Sequence, residues 1–406
     1  MALVPIDQLA SGMVLSDDVR DATARLLLSK GLCIEARHIR LLKMWGVFEV
    51  QVQGPDPVPQ APPASADPER LEAVEGAVNR LFINLDREHP AVQEILRLSV
   101  AHRMTRGAGP TDSSGPGGVK PGETNAPAAN PLAALERLDI QLPEVPSLVF
   151  ELNEIIADPL SSAADIADLV QHSPSLTAML LKIVNSAFYG FRSKIDTISR
   201  AVVVIGSKEV SNLALGITIM ERFKDIPAEL LDVASFMLHS LACGVVARIL
   251  AAHGHLAATE QLFVSGMLHD IGRLVLCKYF PEIARSALIN ARHSEQSLLK
   301  AELDTAGCTH TRIGRALIQK WKLPCVLESN VHYHHNPSGA PQPESAAAVQ
   351  AADIIVHGLG IGASGEHVLP GFDIAAWERM HLPAGALASI FHQAVHQIEN
   401  LRHALC

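Results

Sequence analysis

One pair of polar residues constrains the fold of this chain more than any other feature. Between Leu262 and Val275 the sequence is mostly apolar, yet His269 and Asp270 stand side by side in its middle. Phe263, Val264, Met267, Leu268, Ile271, Leu274 and Val275 follow the i, i+3, i+4 spacing that predicts one buried helix face. On that reading Asp270 falls at the edge of the face, and His269 lies round the back with the small residues Ser265 and Gly272. Burying a carboxylate beside an imidazole is costly unless charge or hydrogen bonds compensate. A metal would compensate both, so the question becomes whether the rest of the chain offers further ligands.

The composition leaves room for them. The 406 residues suffice for two or three domains, and 48% hydrophobic against 19% charged residues lets most of the chain bury a core. Aromatics are only 4%, so Leu, Ala, Ile and Val supply the apolar surface, which leans towards helix. A net charge of −10 argues against broad electrostatic attraction to nucleic acid or anionic lipid. No apolar run approaches the roughly 18–20 residues of a membrane helix, so no span is expected. The six cysteines (Cys33, Cys243, Cys277, Cys308, Cys325, Cys406) show neither a CxxC pair nor framework spacing. With no secretory signal at the N-terminus, they read as reduced thiols in a cytoplasm. The nineteen histidines are more informative, because many lie after residue 230.

In chain order, residues 1–54 read as a small α+β lobe, with short strand-like runs punctuated by Gly and Asp and a helix over 36–44 that Gly46 would end. Residues 55–68 are a Pro-rich, semi-stiff linker. Residues 69–105 read as helical, with Leu71, Val74, Val78, Leu81, Phe82 and Leu85 on one stripe and Pro90 restarting the helix. Two placements stay open for this segment, on the N-terminal lobe or against a second copy in a homo-oligomer. Residues 106–131 carry Gly, Pro, Ser and Thr with almost no apolar side chains, which predicts a disordered linker. From 132 to 340 the pattern is helix after helix, and 341–406 adds three more that are expected to pack on that bundle.

Several strings in this region carry a resemblance. They are LPEVPSLVFELNEIIADP at 142–159, ADLVQHSPSLTAMLLKIVNSAFYG at 167–190, IDTISRAVVVIGSKEVSNLAL at 195–215, HDIGRLVL at 269–276 and GCTHTRIGRALIQKWKLPCVLESNVHYHH at 307–335. Together they are similar to the HDOD domain, the HD-related output domain of bacteria, over about 140–340. Ser173 departs from the family, which usually has Asp before the proline that is Pro174 here. Residues 1–52 resemble the small module that often precedes HD-GYP domains, through Gly12-Met13, Asp18-Val19, Lys30-Gly31 and Gly46-Val47. The implied fold is mainly α: a helical bundle of the HD superfamily with a small α+β N-terminal lobe and disordered linkers.

Candidate ligands recur through this bundle. His239 shares an inward helix face with Ala242, Cys243 and Val246. His310 precedes Ile313 and Leu317, His334 and His335 stand together, and Asp353 shares an apolar stripe with Val349 and Val356. A single histidine on such a face is more commonly a hydrogen-bonded core residue. Imidazoles and carboxylates together suit Fe, Mn or Zn better than Ca or Mg. The order His239, His269-Asp270, His310, His334-His335, Asp353 is similar to the metal-ligand order of HD-GYP phosphodiesterases, which implies a divalent metal pair. Arg273 stands where that family has a phosphate-contacting Lys, and Arg binds phosphate differently. If the chain is an enzyme, Asp270 and Arg273 are its catalytic candidates. Two departures oppose turnover: Asn-Pro-Ser-Gly-Ala-Pro follows His335 in place of a Gly-Tyr-Pro loop, and Ser235 stands where some members place a Glu ligand.

Two functions follow as expectations. The first is a cytoplasmic signalling output module that binds another protein or a nucleotide second messenger through a retained His/Asp site. The second is a metal-dependent phosphodiesterase acting on cyclic di-GMP or a related nucleotide.

Overall fold

The computed structural model describes residues 2–5, 9–20, 26–35, 37–39, 42, 49–53, 68–106, 131–136, 147–157, 162–186, 191, 194–223, 225–256 and 259–405. The linker at 55–68 lies outside these residues except for Pro68, and the linker at 106–131 except for its two end residues. Most of the helix expected over 36–44 also lies outside them.

At the N-terminus, β1 (Ala2–Pro5) pairs antiparallel with β4 (Glu49–Val52), and β2 (Val19–Arg20) pairs antiparallel with β3 (Leu26–Leu28). The register of the first pair sets Val4 opposite Val50, and both side chains are buried. With Leu9, Leu15, Val19, Ile34, Leu42 and Val52 they form a hydrophobic cluster separate from the larger one.

Among the other described residues the regular elements are helices. In order come α1 (Pro68–Leu81), α2 (Pro90–Thr105), α3 (Pro131–Glu136), α4 (Ser147–Ala157), α5 (Ala163–Gln171) and α6 (Pro174–Val184). Next are α7 (Ile198–Ile205), α8 (Ser207–Met220), α9 (Val233–His253), α10 (Thr259–Leu268), α11 (Ile271–Tyr279) and α12 (Pro281–His293). Finally there are α13 (Leu298–Ala306), α14 (His310–Lys320), α15 (Cys325–Tyr333), α16 (Pro343–Leu359), α17 (Ile374–Glu378) and α18 (Ala386–Leu405).

Local chemistry sets many of these ends. Ser162 and Asp165 form a reciprocal capping box at α5. Ser173, the departure from the family's Asp, still accepts from the Leu176 N–H and caps α6, so the change preserves the helix start. Asn185 closes the loop after α6, accepting from the Ile195 N–H at 2.6 Å and donating to the Ile195 carbonyl at 2.6 Å.

Two helices form the centre. From Ser345 to Leu359 every residue of α16 is buried, and α9 packs against α10, α16 and α18. Helix α9 is long and apolar enough to cross a membrane, contrary to the expectation from the sequence that no run qualifies; 67% of its most apolar 18-residue window is buried within the protein. Its apolar character is accounted for by neighbours on all sides.

Two elements sit differently from the expectation. The α1–α2 hairpin packs on the main helical core, with α2 lying along α16 and α18. Arg103 on α2 donates to the carbonyls of His357 (2.6 Å) and Gly358 (2.8 Å), satisfying the C-terminal end of α16. And the apolar stretch around His269-Asp270 is two helices. Helix α10 stops at Leu268, Asp270 leaves the helical region (φ −98°, ψ 14°), and α11 begins at Ile271.

Candidate metal centre

The break between α10 and α11 decides where the His-Asp pair points. In a continuous helix neighbouring side chains diverge by about 100°. At the turn both side chains enter the interior: His269 is 0% and Asp270 2% exposed. Asp270 occupies the cap position of α11 but makes no cap hydrogen bond, so its carboxylate is left for the interior.

Close backbone approach brings the other ligands to the pair. A Cβ on Gly266 would lie 2.6 Å from the Cys243 carbonyl, and one on Gly244 2.6 Å from the Phe263 carbonyl, so α9 and α10 touch along their backbones. One on Gly272 would collide with the His310 carbonyl. Small residues at these crossings set His239, His269 and His310 around one interior volume.

Two groups result. In the first, the His239 Nε2 lies 3.1 Å and the His269 Nε2 3.6 Å from the Asp353 Oδ1, with the Cys243 Sγ 3.4 Å from the His239 Nε2. The second gathers Asp270, His310, His334 and His335. Asp270 straddles both. Its Oδ1 is 3.1 Å from the His310 Nε2 and 3.7 Å from the His334 Nε2, while its Oδ2 is 3.5 Å from the His269 Nε2. All seven candidate residues anticipated from the sequence therefore converge: His239, His269, Asp270, His310, His334, His335 and Asp353.

The donors fit a cation. The His269 Nδ1 donates to the Gly266 carbonyl (2.7 Å) and the His334 Nδ1 to the Val331 carbonyl (2.8 Å), which turns each Nε2 lone pair inward. The His310 Nδ1 sits 2.6 Å from the Glu302 carboxylate, which also accepts from the His310 N–H at 2.8 Å. This leaves the His310 and His334 Nε2 atoms facing each other at 3.4 Å. The His269 Nε2, His335 Nε2, Asp270 Oδ1 and Asp353 Oδ1 are buried with no hydrogen-bond partner. Converging lone pairs and carboxylates of this kind call for a proton or a metal between them.

The proton affinities record the same crowding. Burial pulls the His310 pKa down, but Glu302 and Asp270 outweigh it and raise it to about 9. Burial and the charges of His269 and His310 push His334 down to about 3. Burial opposes ionisation of Asp270, yet Arg273, His269 and His310 hold it well below the usual carboxylate range.

Several residues at the centre were not in the expected set. His357, one turn after Asp353 on α16, reaches within 3.3 Å of the Asp353 Oδ1. The i, i+4 spacing from Asp353 could have flagged it. Glu302, Ser364 and Glu366 surround Arg273, and no sequence spacing relates them to it. Arg273 is 4% exposed. Its NH2 meets the Glu366 carboxylate at 2.7 Å, and its NH1 reaches the Ser364 Oγ at 2.9 Å and the Asp270 Oδ2 at 3.1 Å. The guanidinium thus orients Asp270, with its donors committed to protein. Gly362, in the same loop as Ser364 and Glu366, packs against the backbone of His239. The loop between α16 and α17 is therefore laid over the centre. His392 and His396 are exposed on α18, and Cys308 is buried in the core.

The chain resembles known proteins over this same region. The HDOD domain family matches residues 142–337. An uncharacterized protein of Treponema pallidum (strain Nichols) is 28% identical over 212 residues, 51% of this chain, and the match spans only 40% of that protein. Among solved structures, an HDOD domain protein of unknown function from Geobacter sulfurreducens superposes with TM-score 0.56 at 22% identity, covering 66% of this chain and 97% of that one. A proposed phosphohydrolase from Shewanella amazonensis SB2B gives 0.55 at 21%, covering 69% and 99%. A proposed signal transduction protein from Marinobacter aquaeolei VT8 gives 0.52 at 20%, covering 80% and 67%. At these identities the structural likeness speaks for the fold. Asp353, His357, Ser364 and Glu366 lie beyond the matched segment, so the centre draws on helix and loop outside it. The sequence match and the shared fold agree that this chain carries an HDOD domain over residues 142–337.

Proposed function

We propose that the chain is a signalling output protein whose HDOD domain holds a pair of divalent metals in a closed His/Asp centre. His239, His269 and Asp353 would hold one ion and His310, His334 and His335 the other, with Asp270 between them. Bound there, divalent ions supply positive charge that can hold a phosphate and acidify a water. Arg273 orients Asp270, and Glu302 orients His310. The observation that carries the signalling reading is enclosure. The ligands His239, His269, His310 and His334 are wholly buried, and the Ser364–Glu366 loop ties down the arginine that a phosphate would need. A site closed in this way suits a structural or sensing metal, with information passing through partner binding.

The orphaned Nε2 and carboxylate atoms, arranged as two adjoining groups, favour a second reading: a metal-dependent phosphodiesterase of cyclic di-GMP or a related nucleotide, reached when the loop moves. Elemental analysis of protein purified without chelator tests both readings. About two ions per chain, lost in His269→Ala, are expected; no retained metal, or a content indifferent to that substitution, removes both. Incubation of the loaded protein with cyclic di-GMP and supplied Mn or Fe then separates them, since turnover would overturn the non-catalytic reading.

A further inference from the structure

We infer that Cys243 is a metal ligand, and that the first half of the centre is a thiolate site built for a thiophilic ion such as Zn(II) or Fe(II), with Mn(II) and Mg(II) disfavoured. The inference rests on the metal reading above and deepens it. Cys243 lies one turn after His239 on α9, so both side chains leave the same face of one helix. Its Sγ is fully enclosed and 3.4 Å from the His239 Nε2. With His239, His269 and Asp353 it forms a set in which no two ligand atoms are more than 4.8 Å apart.

Three of the six separations match the edges of a tetrahedron around a small divalent ion. With metal–nitrogen and metal–oxygen bonds of about 2.0–2.1 Å and a metal–sulfur bond of about 2.3 Å, tetrahedral N···O edges come to about 3.3 Å and S···N edges to about 3.5 Å. The protein places His239 Nε2 and Asp353 Oδ1 at 3.1 Å, His269 Nε2 and Asp353 Oδ1 at 3.6 Å, and Cys243 Sγ and His239 Nε2 at 3.4 Å. The His269 Nε2 and Asp353 Oδ1 are buried without a hydrogen-bond partner, so a lone pair and a carboxylate oxygen both point at the space that the sulfur borders.

Among the described residues the other cysteines offer no such setting. Cys33 and Cys325 are exposed, and neither Cys277 nor Cys308 belongs to either ligand group. Coordination exchanges the thiol S–H for an S–metal bond, and the proton leaves to solvent. The second group, Asp270 with three imidazoles, has no sulfur. The two halves therefore differ in softness, and a mixed pair of ions follows from the ligands alone.

Cobalt(II) tests this without reference to turnover. The full chain, stripped and reloaded with Co(II), is expected to show a thiolate-to-cobalt charge-transfer band in the near ultraviolet. Cys243→Ser should abolish the band while the second group keeps its cobalt, and Cys277→Ser and Cys308→Ser should leave it intact. Cobalt retained with no charge-transfer band, or a band that survives Cys243→Ser, overturns the thiolate ligand and leaves the metal reading standing. A wild-type chain that retains no cobalt overturns both. Competition provides a check that tolerates a poorly folding Ser variant: the preference of the wild-type chain for Zn(II) over Mn(II) should fall on the order of tenfold or more in Cys243→Asp. An unchanged preference counts against the proposal.

Discussion

Arg273 shows how one residue can be placed by chemistry that its sequence neighbours do not reveal. By position it looks like a phosphate contact; in the structure Glu366, Asp270 and Ser364 take its donors. Removing it would leave buried carboxylates uncompensated, so Arg273→Met should cost about 3–5 kcal/mol in chemical denaturation of the metal-free protein. His102 offers a titration outside the centre. Burial, helped by the Arg106 charge, lowers its pKa to about 4 from an ordinary 6.5. The unfolded chain therefore takes up the proton first as the solution is acidified. Its contribution is fully present above pH 6.5 and is lost as pH falls from there through 4. The stability difference between the wild type and His102→Gln, followed by denaturant melts across that window, should shrink by about 1–2 kcal/mol towards acid pH once solvent screening is allowed for.

At the scale of elements, the contact between α9 and α10 and the hold of α2 on α16 position the centre. Gly266 abuts the Cys243 carbonyl, so Gly266→Ala must push the helices apart. The expected cost is about 1–3 kcal/mol, together with a drop in metal content because His239 and His269 separate. Calorimetry and elemental analysis on the same sample read both effects. Arg103→Ala removes two hydrogen bonds from the end of the helix that carries Asp353 and His357. A loss of about 1–3 kcal/mol in a denaturant melt is expected. The helices themselves were legible in the sequence. The apolar period and the Ser162–Asp165 capping box at the start of α5 are local signals. The break at His269-Asp270 was not legible, because both flanking helices share one apolar period and only the approach of α14 to Gly272 makes the turn necessary.

For the whole molecule, the two hydrophobic clusters set the units. The N-terminal cluster around Val4, Leu15 and Val50 is separate from the main core, whereas Val74, Val78, Phe82, Val92 and Ile95 of the α1–α2 hairpin belong to that core. A chain starting at residue 68 should keep the main thermal transition. One starting at residue 131 should lose it or broaden it, since the apolar faces of α16 and α18 would meet water. Differential scanning calorimetry of the two truncations distinguishes these outcomes. The family match covers neither the hairpin nor the helix with Asp353, so the folding unit proposed here exceeds the matched segment.

By itself the sequence determined the helical class, the helix order and the seven His and Asp residues that converge, because these follow from local periodicity and from motifs read along one strand of text. Only the tertiary structure decided that His269 and Asp270 face the same way, that Cys243 and His357 adjoin Asp353, and that Glu302, Ser364 and Glu366 enclose Arg273. These facts depend on how closely two backbones pass. That distance is set by small side chains at crossings between elements far apart in the chain, and a linear pattern does not encode which crossings occur.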